Sequence, residues 1–155
     1  MTTVMIGKAA PDFSATSTFG TISLAQCSGR GVILYFYPKD NTPGCTTETQ
    51  DFKTLHDAFL AVGCVVVGVS RDSLKSHENF SKKLELPFPL IADTDEVVCN
   101  LYGVIKQKKM YGKDVRGIER STFLIDARGK LVQVWRGLKV PGHAQEVLQA
   151  ATSLT

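Results

Sequence analysis

No two of the four cysteines, Cys27, Cys45, Cys64 and Cys99, form a CxxC pair. None has metal-ligand spacing to another cysteine or to His56, His77 or His143. The first absence argues against a dithiol reductase and the second against a structural zinc site. Four cysteines in 155 residues are also too few for a disulfide scaffold. The longest apolar run, Ala61 to Val69, is far too short to span a bilayer. The start, Met-Thr-Thr-Val-Met-Ile-Gly-Lys, lacks the charged head and long apolar stretch of a signal peptide. A cytoplasmic protein with reduced thiols and no membrane partner is therefore expected. The positive residues exceed the negative by three and are scattered. Their densest cluster, Lys106, Lys108, Lys109 and Lys113 around Gln107, Met110 and Tyr111, reads as a solvated loop, because a nucleic-acid footprint is a larger basic stripe. No motif calls for a metal or cofactor.

There is no internal repeat, low-complexity tract or linker, so residues 1–155 are expected to form one domain with a full core. Residues 14 to 25, with a turn at Phe19-Gly20, suggest a small hairpin. A strand over 32–37 ends at Pro38. A helix over about 43 to 61 follows, with Phe52, Leu55, Phe59 and Leu60 at helical spacing. Cys64 to Ser70 is valine-rich and nearly all apolar, as in a strand buried on both faces. Ser73 caps a helix whose Leu74, His77 and Phe80 share one side. Pro89 to Ala92 is a short strand and Thr94 to Tyr102 a short helix. Ser121 to Ile125 and Leu131 to Trp135 form a hairpin around Asp126-Ala127-Arg128-Gly129. A final helix starts after Pro141-Gly142-His143. Alternating strands and helices predict an α/β fold, a central mixed sheet flanked by helices with an N-terminal β-hairpin extension. That is a thioredoxin-like layout.

The chemistry concentrates at Cys45. Thr42 suits an N-cap and Pro43 a first helical position. Cys45 then falls in the first helical turn, where backbone N–H groups are unpaired and the helix dipole favours negative charge. A thiol there loses its proton more readily, and the thiolate is the reactive form.

Pro38-Lys-Asp-Asn-Thr42-Pro-Gly-Cys45 has the spacing PxxxTxxC, and Arg120 precedes the strand Ser121-Thr-Phe-Leu-Ile. Together these resemble the peroxiredoxin active site. The strings Ala10-Pro-Asp-Phe13, Tyr35-Phe-Tyr-Pro-Lys-Asp40, Asp72-Ser-Leu-Lys-Ser-His77, Leu86-Pro-Phe-Pro-Leu90, Tyr102-Gly-Val104 and Gly142-His-Ala144 are similar to the bacterioferritin comigratory protein, or Q-type, branch. The resemblance covers almost the whole chain in order. It implies a thiol peroxidase that reduces hydrogen peroxide and organic hydroperoxides, with Cys45 as nucleophile passing to a sulfenic acid. Thr42 would offer its hydroxyl to thiolate and peroxide, Arg120 would stabilise the thiolate and polarise the peroxide, and Pro38 would cover the pocket. Glu48, one turn beyond Cys45, would hold Arg120 in place. His56, His77 and His143 read as packing or surface residues.

One departure bears on recycling. Many Q-type members carry a second cysteine five residues after the first, and others carry it in the next helix. Those places hold Gln50 and Ser81 here. Cys64 and Cys99 lie in apolar surroundings and Cys27 in a polar loop. The expectation is a one-cysteine mechanism in a monomer, with thioredoxin, glutaredoxin or glutathione as external reductant. The alternatives are resolution by Cys27 or Cys99, or a non-enzymatic redox sensor or chaperone of thioredoxin fold.

Overall fold

A computed structural model describes residues 4–154. The first three residues of the N-terminal stretch, and the side chains of Lys108 and Met110, lie outside it. A seven-stranded mixed sheet runs through the described residues. Its strands are β1 (Ser14–Ser17), β2 (Gly20–Ser23), β3 (Gly31–Phe36), β4 (Cys64–Ser70), β5 (Leu90–Ala92), β8 (Ser121–Ile125) and β9 (Leu131–Arg136), in the order β2-β1-β5-β4-β3-β8-β9. Strands β3, β4 and β5 are parallel, while β8 runs antiparallel to β3 and β9 to β8. The N-terminal hairpin joins the sheet edge where Ser17 pairs with Ile91. The expected thioredoxin-like architecture is borne out.

The central strands are mostly apolar for a physical reason. Every residue of β3 and β8 is buried, because helices cover both faces. One face packs Leu34, Phe36, Val67, Val69 and Phe123 against α4 (Val97–Tyr102). The other packs Ile33, Tyr35, Val66, Leu90 and Leu124 against α1 (Pro43–Thr54), α2 (His56–Ala61), α3 (Leu74–Leu84) and α5 (His143–Thr152). Burial of a side chain such as Phe52 or Leu34 contributes about 1.5–3 kcal/mol. Gly68 of β4 has no room for a side chain, since a Cβ there would stand 2.7 Å from Leu90 and 2.8 Å from Tyr35.

Two expectations are corrected. The helix read over 43 to 61 is interrupted at Leu55, whose ψ of 4° ends α1 before α2 begins. No glycine or proline marks that break in the sequence. The lysine-rich stretch is a β-hairpin, β6 (Ile105–Met110) against β7 (Lys113–Ile118), turning at Tyr111 and Gly112, both at positive φ. It forms a separate two-stranded sheet. Arg116 on β7 ion-pairs with Glu96, which also binds Arg71 at 2.9 Å, so its base is tied to the start of α4. Strands with alternating lysines and few apolar residues give no strand signal. Among the described residues no helix is long and apolar enough to cross a membrane.

Candidate active site

Strand β3 delivers the chain to the C-terminal edge of the sheet, and the segment from Tyr37 to Thr42 turns it into α1. Thr42 has the extended backbone of an N-cap, with φ −88° and ψ 150°, and Pro43 fills the first helical position. The first intrahelical bond runs from the Thr46 N–H to the Thr42 carbonyl at 2.9 Å. The N–H groups of Gly44 and Cys45 precede it and belong to the unpaired donors of the helix start.

Helix α1 turns Cys45, Glu48, Thr49 and Phe52 toward the sheet, an i, i+3, i+4, i+7 face. Two of these four are polar, and each has a reason to be inside. Thr49 meets the Tyr35 hydroxyl at 3.0 Å. Glu48 accepts a hydrogen bond at 2.6 Å from Nη1 of Arg120, the residue before β8. The same guanidinium donates from Nη2 to Cys45 Sγ at 3.3 Å. The antiparallel register brings this about: Ser121 pairs with Phe36, so the head of β8 sits beside the tail of β3. Gly44 completes the packing, since a Cβ there would stand 3.4 Å from Arg120 Nη2.

Cys45 is 1% exposed and Glu48 equally buried, while Arg120 is only partly covered. Burial pushes the Glu48 carboxyl up to about 7 against the opposing pull of Arg120. Its second oxygen, Oε2, has no hydrogen-bond partner among the described residues. His143 is buried beside Thr122, Nε2 to Oγ1 2.8 Å, and burial lowers it to about 4, so it stays neutral. Its ring packs edge-on against Phe52 and Trp135.

The structure thus brings Cys45, Arg120 and Glu48 together. Thr42 stands at the helix start, but its hydroxyl does not cap the helix. It donates instead to the Lys39 carbonyl at 2.7 Å, which leaves its lone pairs free to accept a further hydrogen bond. Pro38 lies exposed at the mouth of the same loop.

The other thiols are elsewhere. Cys27 lies in a short 3-10 turn ahead of β3, and Cys64 pairs with Gly31 at the first residue of that strand. Both sit at the opposite end of β3, six residues or roughly 17 Å from the Cys45 end. Cys99 packs in the core on the opposite face of the sheet, where burial pushes its thiol well up. The sequence reading missed one residue near the site, Asp40, which is buried beside His77. Its signal was faint: an acidic residue between Pro38 and Thr42, and a histidine on the apolar side of a helix.

A thioredoxin-like sheet that presents a buried cysteine at a helix start, against an arginine held by a carboxylate, defines a peroxiredoxin-type site. Comparison with known proteins agrees. The AhpC/TSA family profile matches residues 6–134. Peroxiredoxin Bcp of Xanthomonas campestris is 55% identical over 128 residues, which is 83% of this chain and 80% of that protein. Peroxiredoxin Bcp of Bacillus subtilis is 44% identical over 99% of this chain and 98% of its own. A structure of the Xanthomonas campestris bacterioferritin comigratory protein, from work on its alkyl peroxide reduction activity, superposes with a TM-score of 0.90 at 47% identity, covering 99% of this chain and 98% of that one. A Xylella fastidiosa peroxiredoxin Q variant gives 0.92 at 41% identity, covering 99% and 98%. The chain belongs to the AhpC/TSA family, in its Bcp or Q-type branch, and is a thiol-dependent peroxidase.

Proposed function

We propose that Cys45 is the peroxide-reducing thiol and that it is recycled by an external thiol. The observation that carries the first half is the 3.3 Å bond from Arg120 Nη2 to Cys45 Sγ at the start of α1. A guanidinium with fixed donors favours the thiolate and can also meet the peroxide oxygen as charge develops on it. The Cys45 thiolate attacks the outer oxygen of a hydroperoxide. An S–O bond forms and the O–O bond breaks. The sulfur becomes a sulfenic acid, and the leaving oxygen takes up the proton that the thiol gave up, departing as water or an alcohol. Hydrogen peroxide and organic hydroperoxides both fit this chemistry, and the alkyl peroxide activity of the Xanthomonas relative favours the organic class. Thr42 accepts from the peroxide hydroxyl, Pro38 shields the loop, and Glu48 orients Arg120.

The separation of Cys27, Cys64 and Cys99 from Cys45 supports the second half, because a disulfide needs Cα atoms within about 7 Å. An external thiol attacks the sulfenic sulfur and releases water. A second thiol then displaces the Cys45 thiolate, leaving the reductant as a disulfide. Thioredoxin, glutaredoxin and glutathione all supply such thiols. This reading takes the protein as a single-domain cytoplasmic monomer serving redox homeostasis. Intact mass after one equivalent of peroxide is the test. A gain of one oxygen confined to Cys45 is expected, converted to a mixed disulfide by added glutathione. A quantitative internal disulfide would replace the one-cysteine mechanism.

A further inference from the structure

The loop carrying Pro38 and Thr42 is held from behind by a buried polar cluster that no step above uses. Asp40, midway between those residues, is 4% exposed. Its Oδ1 accepts from the Tyr37 phenol at 2.6 Å, and burial keeps that phenol protonated by raising it well above its ordinary range. Its Oδ2 accepts from the Ser76 hydroxyl at 2.8 Å and from His77 Nδ1 at 2.7 Å. Its backbone N–H donates to Asp72 Oδ2 at 2.9 Å, and Ser70 donates to that same oxygen at 2.6 Å. His77 has no exposed surface, and its Nε2 lies 2.9 Å from the Ile91 carbonyl. Both ring nitrogens therefore face oxygen acceptors. A neutral imidazole has one N–H and serves one of them; the doubly protonated ring serves both.

A buried polar cluster of this kind is a poor source of stability, since apolar side chains of similar volume do as well or better. It does fix geometry. One ligand atom each from Asp40, Asp72 and His77 lies within 4.8 Å of the others. However, the hydroxyls of Tyr37, Ser70 and Ser76 and the ring N–H already fill the carboxylates, so the cluster is closed by its own hydrogen bonds.

The closure has a direction. Asn41, next to Asp40, sits at φ +63°, a left-handed turn conformation that asparagine adopts more readily than other non-glycine residues. The Thr42 hydroxyl is tied to the Lys39 carbonyl, which closes the Lys39–Thr42 turn on itself around Asp40. Tyr37, Asp72, Ser76 and His77 all anchor the loop through Asp40, and of these His77 is the fully buried side chain that reaches it from α3. We infer that His77, acting through Asp40, is a positioning residue that sets the Pro38–Thr42 loop for peroxide attack by Cys45. The inference rests on the assignment of Cys45 above.

Two substitutions separate positioning from mere packing. His77→Asn places an amide N–H where Nδ1 was and keeps the bond to Asp40. His77→Gln places one near Nε2, keeps the bond to Ile91 and loses Asp40. Both variants lose one bond of the pair. The readout is the second-order rate of Cys45 oxidation by stopped flow, with the melting temperature measured alongside. His77→Gln should slow oxidation roughly tenfold to a hundredfold, as expected for a misplaced reacting geometry, while His77→Asn recovers most of the rate. Ser76→Ala, on the more open side of α3, removes a second donor to the same oxygen and should slow oxidation by a smaller factor even if His77→Gln does not fold. Folded His77→Gln at the wild-type rate, equal losses in both His77 variants, or an unaltered Ser76→Ala where His77→Gln is unfolded would overturn the inference. A wild-type protein whose Cys45 does not oxidise would instead remove the assignment of Cys45, and this inference with it.

Discussion

Glu48 grips Arg120 through one oxygen, Oε1 at 2.6 Å from Nη1, while Oε2 stays buried without a partner among the described residues. The half-satisfied carboxyl explains why burial outweighs the guanidinium and lifts Glu48 from 4.5 to about 7. A carboxyl raised on folding holds its proton more tightly in the native chain. Its contribution to stability is fully present below 4.5 and is lost as pH rises through about 7. Glu48→Gln cannot ionise and escapes that loss. Its melting temperature relative to wild type should therefore climb from about pH 5 to about pH 8. Activity should move the other way, since ionised Glu48 holds Arg120 as an ion pair and glutamine offers only a neutral acceptor. The ratio of wild-type to Glu48→Gln oxidation rates should grow across that window, and a flat ratio would refute the coupling.

Arg120→Met removes the donor to Cys45 and should slow oxidation roughly 10²–10³-fold. It also strands Glu48 in the core. Near pH 5 the carboxyl is protonated and the variant should melt close to wild type. Near pH 8 the wild type pairs the ionised carboxyl with Arg120, whereas the variant, lacking that pull, must either keep the buried carboxyl protonated or ionise it alone, and so loses more stability than wild type between the two pH values. Differential scanning calorimetry at the two pH values checks this, and a pH-independent melting difference would contradict the pairing.

The remaining cysteines should separate from Cys45 by what they damage. Cys45→Ser should abolish peroxide turnover while the fold persists. Cys64→Ser and Cys99→Ser each replace a buried thiol by a smaller, more polar hydroxyl: the Cys64 Sγ lies 2.6 Å from where a Gly31 Cβ would stand, and Cys99 is fully buried with its thiol against Asp93. Each should lower the melting temperature with little change in the oxidation rate of the folded protein. A rate loss in either variant comparable to that of Cys45→Ser would mean a second thiol takes part in the chemistry.

The succession of strands and helices and the helix-start cysteine were legible because both follow from local signals: valine-rich buried strands, Thr42-Pro43 before Cys45, and an arginine at the head of a late strand. What was not legible depends on distance along the chain. Asp40 and His77 meet only because the β3–α1 loop and α3 lie side by side on the sheet edge, 37 residues apart in sequence. A histidine on a helix's apolar side reads as packing until its partner is known. The β6–β7 hairpin was hidden for the opposite reason. Lys106, Lys109 and Lys113 face solvent, and the hairpin is held by its turn and by the ion pair of Arg116 with Glu96, which leave no hydrophobic period to read.

Recycling gives the last prediction. Gln50 lies on the exposed side of α1, five residues beyond Cys45. Five residues of intact helix rise about 7.5 Å, more than a disulfide tolerates. Ser81 on α3 is equally unable to trap the sulfenic acid, having no thiol. Oxidised Cys45 should therefore persist until an external thiol arrives. A persistent sulfenic acid is open to a second oxidation, to the sulfinic state that thiols do not reverse. Excess peroxide without reductant should inactivate the enzyme progressively, with Cys45 gaining a second oxygen by mass, and glutathione added beforehand should protect it. Gln50→Cys should change this outcome. If α1 unwinds locally, the new thiol captures the sulfenic sulfur, expels water and leaves an internal disulfide, so that overoxidation falls and thioredoxin supports turnover. Continued accumulation of the sulfinic form in Gln50→Cys, with no disulfide on non-reducing analysis, would show that the helix start is too rigid to open. The one-cysteine route would then be imposed by the stability of α1 as well as by the absence of a partner thiol.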